Sequence, residues 1–247
     1  MALLCAVQSH GNIIIRMSTA VTTTTSSSTT LVTGMVHMWN FAADSASQAD
    51  EITGDGDNFT LTVLGAVHSS DHGGIYKYDG LDDEIKINGT HSGFIDFTSN
   101  FTVSVWSFAY VAVRSHTIWA MSDGVDRYLV GRTTNNKDKL YATAWDSGYT
   151  SIETDSNVST GVWHHIVFTH TGTAGGTVGL YVNGTNQTDA TTGQSTSNSD
   201  GMTVGSRTDE NDTFDWDGEI DTLIITTGIL SQAEVDVLYL NGAATKN

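Results

Sequence analysis

The chain of 247 residues has no proline, one cysteine and only 10 basic side chains. With no proline, no residue removes a backbone donor from a β-ladder, which suits a strand-rich chain. A lone Cys5 excludes an internal disulfide. Ten Lys and Arg against 28 Asp and Glu leave a formal charge of −18. Such a surface repels phosphate backbones and anionic lipid, so nucleic acid and membrane surfaces are poor partners, neither is expected, and divalent cations are better ones. No stretch approaches the ~18 consecutive apolar residues of a membrane span. The opening Met1-Ala2-Leu3-Leu4-Cys5-Ala6-Val7 is apolar. It lacks the basic start of a secretory signal and runs at once into Gln8-Ser9-His10-Gly11, so no signal is expected.

What is present points to β structure. Threonine is abundant and suits strands, while aspartate favours loops. The hydrophobic content of 38% is low, yet six Trp, eight Tyr and eight Phe can fill a core. The length fits one sandwich domain of roughly 200–250 residues plus a tail. Residues 18–33 are almost all Ser and Thr and bury little, as in a linker. Residues 1–33 therefore read as an extended N-terminal arm and 34–247 as the folded domain. Within the arm, Asn12-Ile13-Ile14-Ile15-Arg16-Met17 suits a strand added to a neighbouring subunit's sheet, or packed on its own domain.

After Gly34 the apolar period is two. Met35, His37, Trp39 and Phe41 fall on one side of a strand, and further strands are expected at 59–64, 74–78, 84–88, 101–113, 117–121, 127–130, 140–144, 163–169, 178–183, 202–204 and 219–226. In 101–113 one side carries Phe101, Val103 and Val105 and the other Trp106, Phe108 and Tyr110, so this strand is expected at the centre of a sheet. Asn183-Gly184 supplies a tight hairpin turn. One short C-terminal helix is signalled by a capping box, Ser231 with Glu234, by a staple of Leu230 and Val235, and by Gly242 as its stop. Many short strands without βαβ alternation make the fold class all-β, an antiparallel two-sheet sandwich.

Several segments occur in the order of one family: His37-Met38-Trp39-Asn40-Phe41, Tyr78-Asp79-Gly80-Leu81-Asp82-Asp83-Glu84-Ile85, Gly161-Val162-Trp163-His164-His165-Ile166, Gly179-Leu180-Tyr181-Val182-Asn183-Gly184 and Asp217-Gly218-Glu219-Ile220-Asp221. Residues 34–242 thus resemble the LamG-like jelly roll of the concanavalin A-like lectin/glucanase superfamily. The resemblance implies two stacked antiparallel sheets, often a structural calcium, and a role in binding or adhesion.

The superfamily also holds family 16 glycoside hydrolases, whose site strand carries alternating carboxylates with a third acid two or three residues on. Here Glu219 and Asp221 are followed by Leu223 and Ile224, so the third acid is missing and no catalytic residue is expected. His164 and His165 are adjacent on a strand and point to opposite faces, which rules out a shared metal.

Calcium takes six to eight oxygen ligands. Two acidic loops offer them, Asp79, Asp82 and Asp83, then Asp215, Asp217 and Asp221, with Asp55-Gly56-Asp57-Asn58 as a third stretch; the competing reading is turn carboxylates capping backbone amides. For glycans, Trp119, Arg132, Trp145, Tyr149 and Trp216 lie near turn-rich stretches and are the candidate contacts. The expected function is a non-enzymatic structural or binding module on a virion exterior, as a decoration, fibre or tail-associated protein. Its expected partners are neighbouring subunits, through the arm, and host cell-surface glycans. The alternatives are a secreted or cell-surface carbohydrate-binding or adhesion module and, third, a family 16-type hydrolase.

Overall fold

Alternating apolar residues close into ladders wherever turn residues bring them back on themselves. Among the 247 residues a computed structural model describes 3–9, 12–18, 31–32, 35–42, 44, 48–50, 60–87, 96, 98–111, 116–122, 127–133, 138–145, 149–172, 176–187, 189–191, 201–207 and 214–246. Most of the Ser/Thr tract and the Asp55–Asn58 stretch lie outside them. The strands in chain order are β1 (Leu3–Ser9), β2 (Asn12–Ser18), β3 (Leu31–Val32), β4 (Met35–Trp39), β5 (Gln48–Ala49), β6 (Leu61–Leu64), β7 (Val67–Ser69), β8 (Ile75–Asp79), β9 (Glu84–Lys86) and β10 (Phe101–Ala109). They continue as β11 (His116–Ser122), β12 (Arg127–Arg132), β13 (Leu140–Trp145), β14 (Tyr149–Glu153), β15 (Trp163–His170), β16 (Thr177–Val182), β17 (Thr185–Asn186), β18 (Ala190–Thr191), β19 (Gly201–Val204) and β20 (Asp217–Thr227). Helix α1 (Gln232–Lys246) follows.

Two antiparallel sheets form the sandwich. The larger runs β17-β16-β15-β10-β20-β8-β7, with β18 on β16 and β4 on β20; the other runs β14-β13-β12-β11-β19-β9-β6-β5. Strand β10 is central, as its two apolar sides require, between β15 and β20. Its Phe101, Val103 and Val105 join Trp39, Trp119, Tyr128, Phe168 and Leu223 in the core between the sheets. The opposite side of the larger sheet carries a second cluster, in which Met38, Val167 and Ile224 pack against Leu230, Val235 and Leu238 of the helix segment. Met38 and Trp39 are therefore both buried, on opposite faces of β4, where sequence alternation assigned only one buried side.

Local signals explain the joints. Asn183 and Gly184 take φ of 52° and 78° and turn β16 into β17. At α1 the Ser231 N–H donates to Glu234 Oε2 at 2.8 Å, and the Glu234 N–H donates to Ser231 Oγ at 3.4 Å, completing the capping box. Gly242 does not end the helix, which continues to Lys246. A Cβ at this position would overlap the Trp106 indole, so the glycine lets the helix approach the sheet.

The N-terminal region also departs from a single extended arm. Strands β1, β2 and β3 form a three-stranded antiparallel sheet of their own. Strand β2 pairs with β1 along its whole length and with β3 at Ile13 and Ile14. It is thus an inner strand of its own chain rather than a free strand awaiting a neighbour's sheet, and among the described residues the outer edge of β1 is the longer of the two edges.

Candidate functional site

The loop after β8 concentrates negative charge at the rim of the sandwich. Ligand oxygens of Asp79, Asp82 and Asp83 all lie within 4.8 Å of one another, the one such group among the described residues. Part of it follows turn chemistry, since Asp79 Oδ1 accepts the Leu81 N–H at 2.9 Å and Asp83 Oδ2 accepts the Asp79 N–H at 2.8 Å. Burial raises the Asp83 carboxyl above the usual range; the Asp79 N–H opposes that shift, while the charges of Asp79 and Asp82 add to it. Gly65, at φ 79°, leaves the space that Asp83 Oδ1 occupies, which a Cβ would fill. Hard oxygen donors, crowded and partly desolvated, fit a calcium-like cation, whose charge would offset the mutual repulsion.

The second acidic loop does not assemble into one site. Asp217 stands opposite Asp79 in the β20–β8 ladder, beside the first group. Asp215 is buried, and its backbone carbonyl bonds to His116 Nδ1. Asp221 is buried in an ion pair with Lys246 and accepts the Thr222 hydroxyl at 2.7 Å. Periodicity places Asp221 on the face of the sheet that α1 covers, away from the rim.

Three of the five expected glycan contacts cannot meet a ligand. Trp119, Trp216 and Arg132 have relative exposures of 0, 1 and 1%. Trp119 lies edge-on to Phe168 at 5.3 Å between the sheets, and Trp216 edge-on to His116 at 6.1 Å. Arg132 donates from Nη2 to the Val158 carbonyl at 2.8 Å, a structural tie. Closeness to turns in sequence misled here, because Trp119 and Trp216 belong to the core cluster between the sheets. Trp145 and Tyr149 are register partners in the β13–β14 pairing, and their side chains lie outside the described residues.

The two carboxylates placed as on a hydrolase strand are both engaged. Glu219 Oε1 accepts the Tyr110 hydroxyl at 2.7 Å. Lys246 closes on Asp221, with its Nζ 4.6 Å from the centre of the Trp163 ring. Burial pushes this ammonium down to about 7, with the Glu219 charge opposing. A bulge next to this pair, with Thr222 at φ 42°, shifts the alternation. It sends Leu223 into the core and Ile224 under the helix, so neither position for a third acid reaches solvent.

Sequence reasoning missed the residues around this pair. Phe108 packs against Trp163 at 5.7 Å and Tyr110 at 5.8 Å, and His72 meets Trp163 edge-on at 5.4 Å. The signal that pointed to them was the aromatic run Trp106, Phe108, Tyr110 on one side of β10, three rings where α1 covers only the first.

Comparison with known proteins follows the same fold. The family model Laminin_G_3, described as the concanavalin A-like lectin/glucanases superfamily, matches residues 79–236. No curated protein sequence matches the chain. Among solved structures, the botulinum neurotoxin serotype G binding domain superposes with a TM-score of 0.65 at 16% identity, covering 84% of this chain and 51% of that one. The serotype D binding domain gives 0.66 at 16% identity, with 84% and 52% covered. This chain therefore spans about half the length of those toxin domains. Domain 4 of AbnA, a GH43 extracellular arabinanase from Geobacillus stearothermophilus solved with arabinotriose, gives 0.63 at 18% identity, covering 83% of this chain and 98% of that domain.

Proposed function

We propose that this chain, which belongs to the concanavalin A-like lectin/glucanases superfamily, is a non-catalytic carbohydrate-binding module carried on the surface of a virion. The observation that carries the binding reading is the match over 98% of an arabinanase domain solved with a trisaccharide. The fate of the two strand carboxylates supports the absence of catalysis. Glu219 is held by Tyr110 and Asp221 by Lys246, the third acid is missing, and a retaining mechanism needs two carboxyl groups free at about 5–5.5 Å. Calcium at Asp79, Asp82 and Asp83 belongs to this reading as a structural ion that stiffens the rim loop.

The virion role is supported by the N-terminal sheet. It pairs within itself, apart from both body sheets, and its outer β1 edge suits a contact with neighbouring subunits. Two experiments test the proposal. Binding to a glycan array is expected with no turnover of the bound sugar. Detection of the full chain in purified particles, lost when residues 1–33 are deleted, is expected for a virion component. Recovery from a cell envelope instead would favour the secreted or surface-anchored module.

A further inference from the structure

On the outer side of the larger sheet, α1 covers Trp106 and Ile224 and reaches the next row at its Trp163 end through Lys246, leaving that row partly exposed. The registers Phe108↔Trp163, Phe108↔Glu219 and Glu219↔Lys77 set four side chains across β15, β10, β20 and β8. Directly opposed residues share a face. With ~4.8 Å between strands the row is about 14 Å long, enough for several linked sugar rings. Trp163 and Phe108 form its aromatic half, each partly exposed, and Glu219 and Lys77, the latter paired with Asp71 at 2.8 Å, its charged half. Tyr110, 43% exposed, bridges the halves through its hydrogen bond to Glu219.

We propose that this row is a carbohydrate-binding platform for a neutral oligosaccharide. The inference rests on the carbohydrate-binding reading above and gives it a place. A pyranose presents an apolar C–H face and an edge of hydroxyls, which match an aromatic surface flanked by a carboxylate acceptor and an ammonium donor. An apolar protein partner suits the row less well, because it would bury Glu219 and Lys77 without hydroxyls to replace their water. The −18 charge of the chain disfavours sulfated or sialylated chains.

The platform is fixed before a ligand arrives. Trp163 has the Lys246 ammonium against its ring and His72 against its edge. His72 Nδ1 is 3.0 Å from the Thr245 carbonyl, to which it donates, and this residue holds φ at 53° without being glycine. A residue kept in that region by its surroundings marks a place the fold specifies tightly. Prior order of this kind reduces the entropy lost on binding.

An array of neutral and anionic glycans that includes arabinotriose identifies a bound sugar, and calorimetry then compares the wild type with Trp163→Ala, Glu219→Gln and a Leu240→Ser control on the solvent side of α1. Neutral glycans are expected to bind, with at least about a tenfold loss for Trp163→Ala, as for a central aromatic contact. Glu219→Gln keeps the side-chain shape and is expected to lose affinity severalfold at unchanged melting temperature, while the control binds as wild type. Wild-type binding that survives both row substitutions overturns the platform and leaves the carbohydrate reading standing. No glycan bound by the wild type overturns both. Binding confined to anionic glycans overturns the neutral-ligand assignment.

Discussion

Acid should weaken this protein through a histidine that never meets solvent. His165 on β15 is 1% exposed, with its ring clustered against Trp106 at 5.0 Å and Tyr239 at 6.1 Å, which also stack on each other. Its Nε2 is 2.8 Å from Ser104 Oγ, and its Nδ1 has no partner to receive a proton's hydrogen bond. Burial lowers this imidazole from 6.5 to about 3. The folded value lies below the unfolded one, so the stability tied to the neutral ring is complete above pH 6.5 and is lost as pH falls towards 3. Each pH unit in that window costs about 1.4 kcal/mol, hence about 2.7 kcal/mol by pH 4.5 from this residue alone. Many carboxylates titrate over the same range, so the assay is a comparison: urea unfolding followed by Trp fluorescence, for wild type and His165→Gln, between pH 7.5 and 4.5. The variant should start about 1–2 kcal/mol less stable, having lost ring packing, and should decline with acid by about 2.7 kcal/mol less than wild type. Equal declines in the two proteins would refute the reasoning.

Gly242→Ala should destabilise by about 1–3 kcal/mol through overlap with Trp106, although intrinsic helix propensity alone favours alanine by about 1 kcal/mol; thermal melts give the sign. Ser231→Ala should cost about 1 kcal/mol by removing the cap, measured the same way. Calcium at about 100 times its dissociation constant should add about 2.7 kcal/mol, which is roughly 5–10 °C in melting temperature for a chain of this size, and Asp82→Ala should abolish the shift; a chelator-insensitive melt in the wild type would count against the rim site. Laminarin and agarose should not be hydrolysed, and turnover abolished by Glu219→Gln would overturn the non-catalytic reading.

Most of the architecture was legible because its signals are local. Alternation located β10, β15 and β20 within a few residues, and Asn183-Gly184 and Ser231 with Glu234 announced their own geometry. Short strands such as β5, β7 and β17 carry too few residues for a period to show, and β14, Tyr-Thr-Ser-Ile-Glu, has a single aliphatic residue to mark a face. The site was harder to read because exposure is a tertiary property. Trp119 and Trp163 both look like strand aromatics; only the packing of two sheets buries the first, while the second lies partly exposed on the outer face beside Lys246. The Asp79, Asp82 and Asp83 group was legible since three acids in five positions need no long-range pairing. The splitting of Asp215, Asp217 and Asp221 depended on Lys246, a partner 25 residues beyond Asp221 that no spacing rule points to.

Strand β20 bonds to β10, β8 and β4, so the larger sheet is joined through a segment near the end of the sequence. Between Trp39 and Asp217 lie about 180 residues, which a ribosome adds in roughly 10–40 s at ordinary rates. Throughout that interval β4 lacks the strand that will pair with it, one edge of β10 lacks it for the last ~110 residues, and the aromatic side of β10 has no helix over it. Native pairing of these edges therefore waits until β20 has been made, and pairings this distant in sequence form slowly even afterwards. The nascent chain is expected to need chaperone cover, and truncation anywhere before β20 to give insoluble fragments rather than a smaller sandwich.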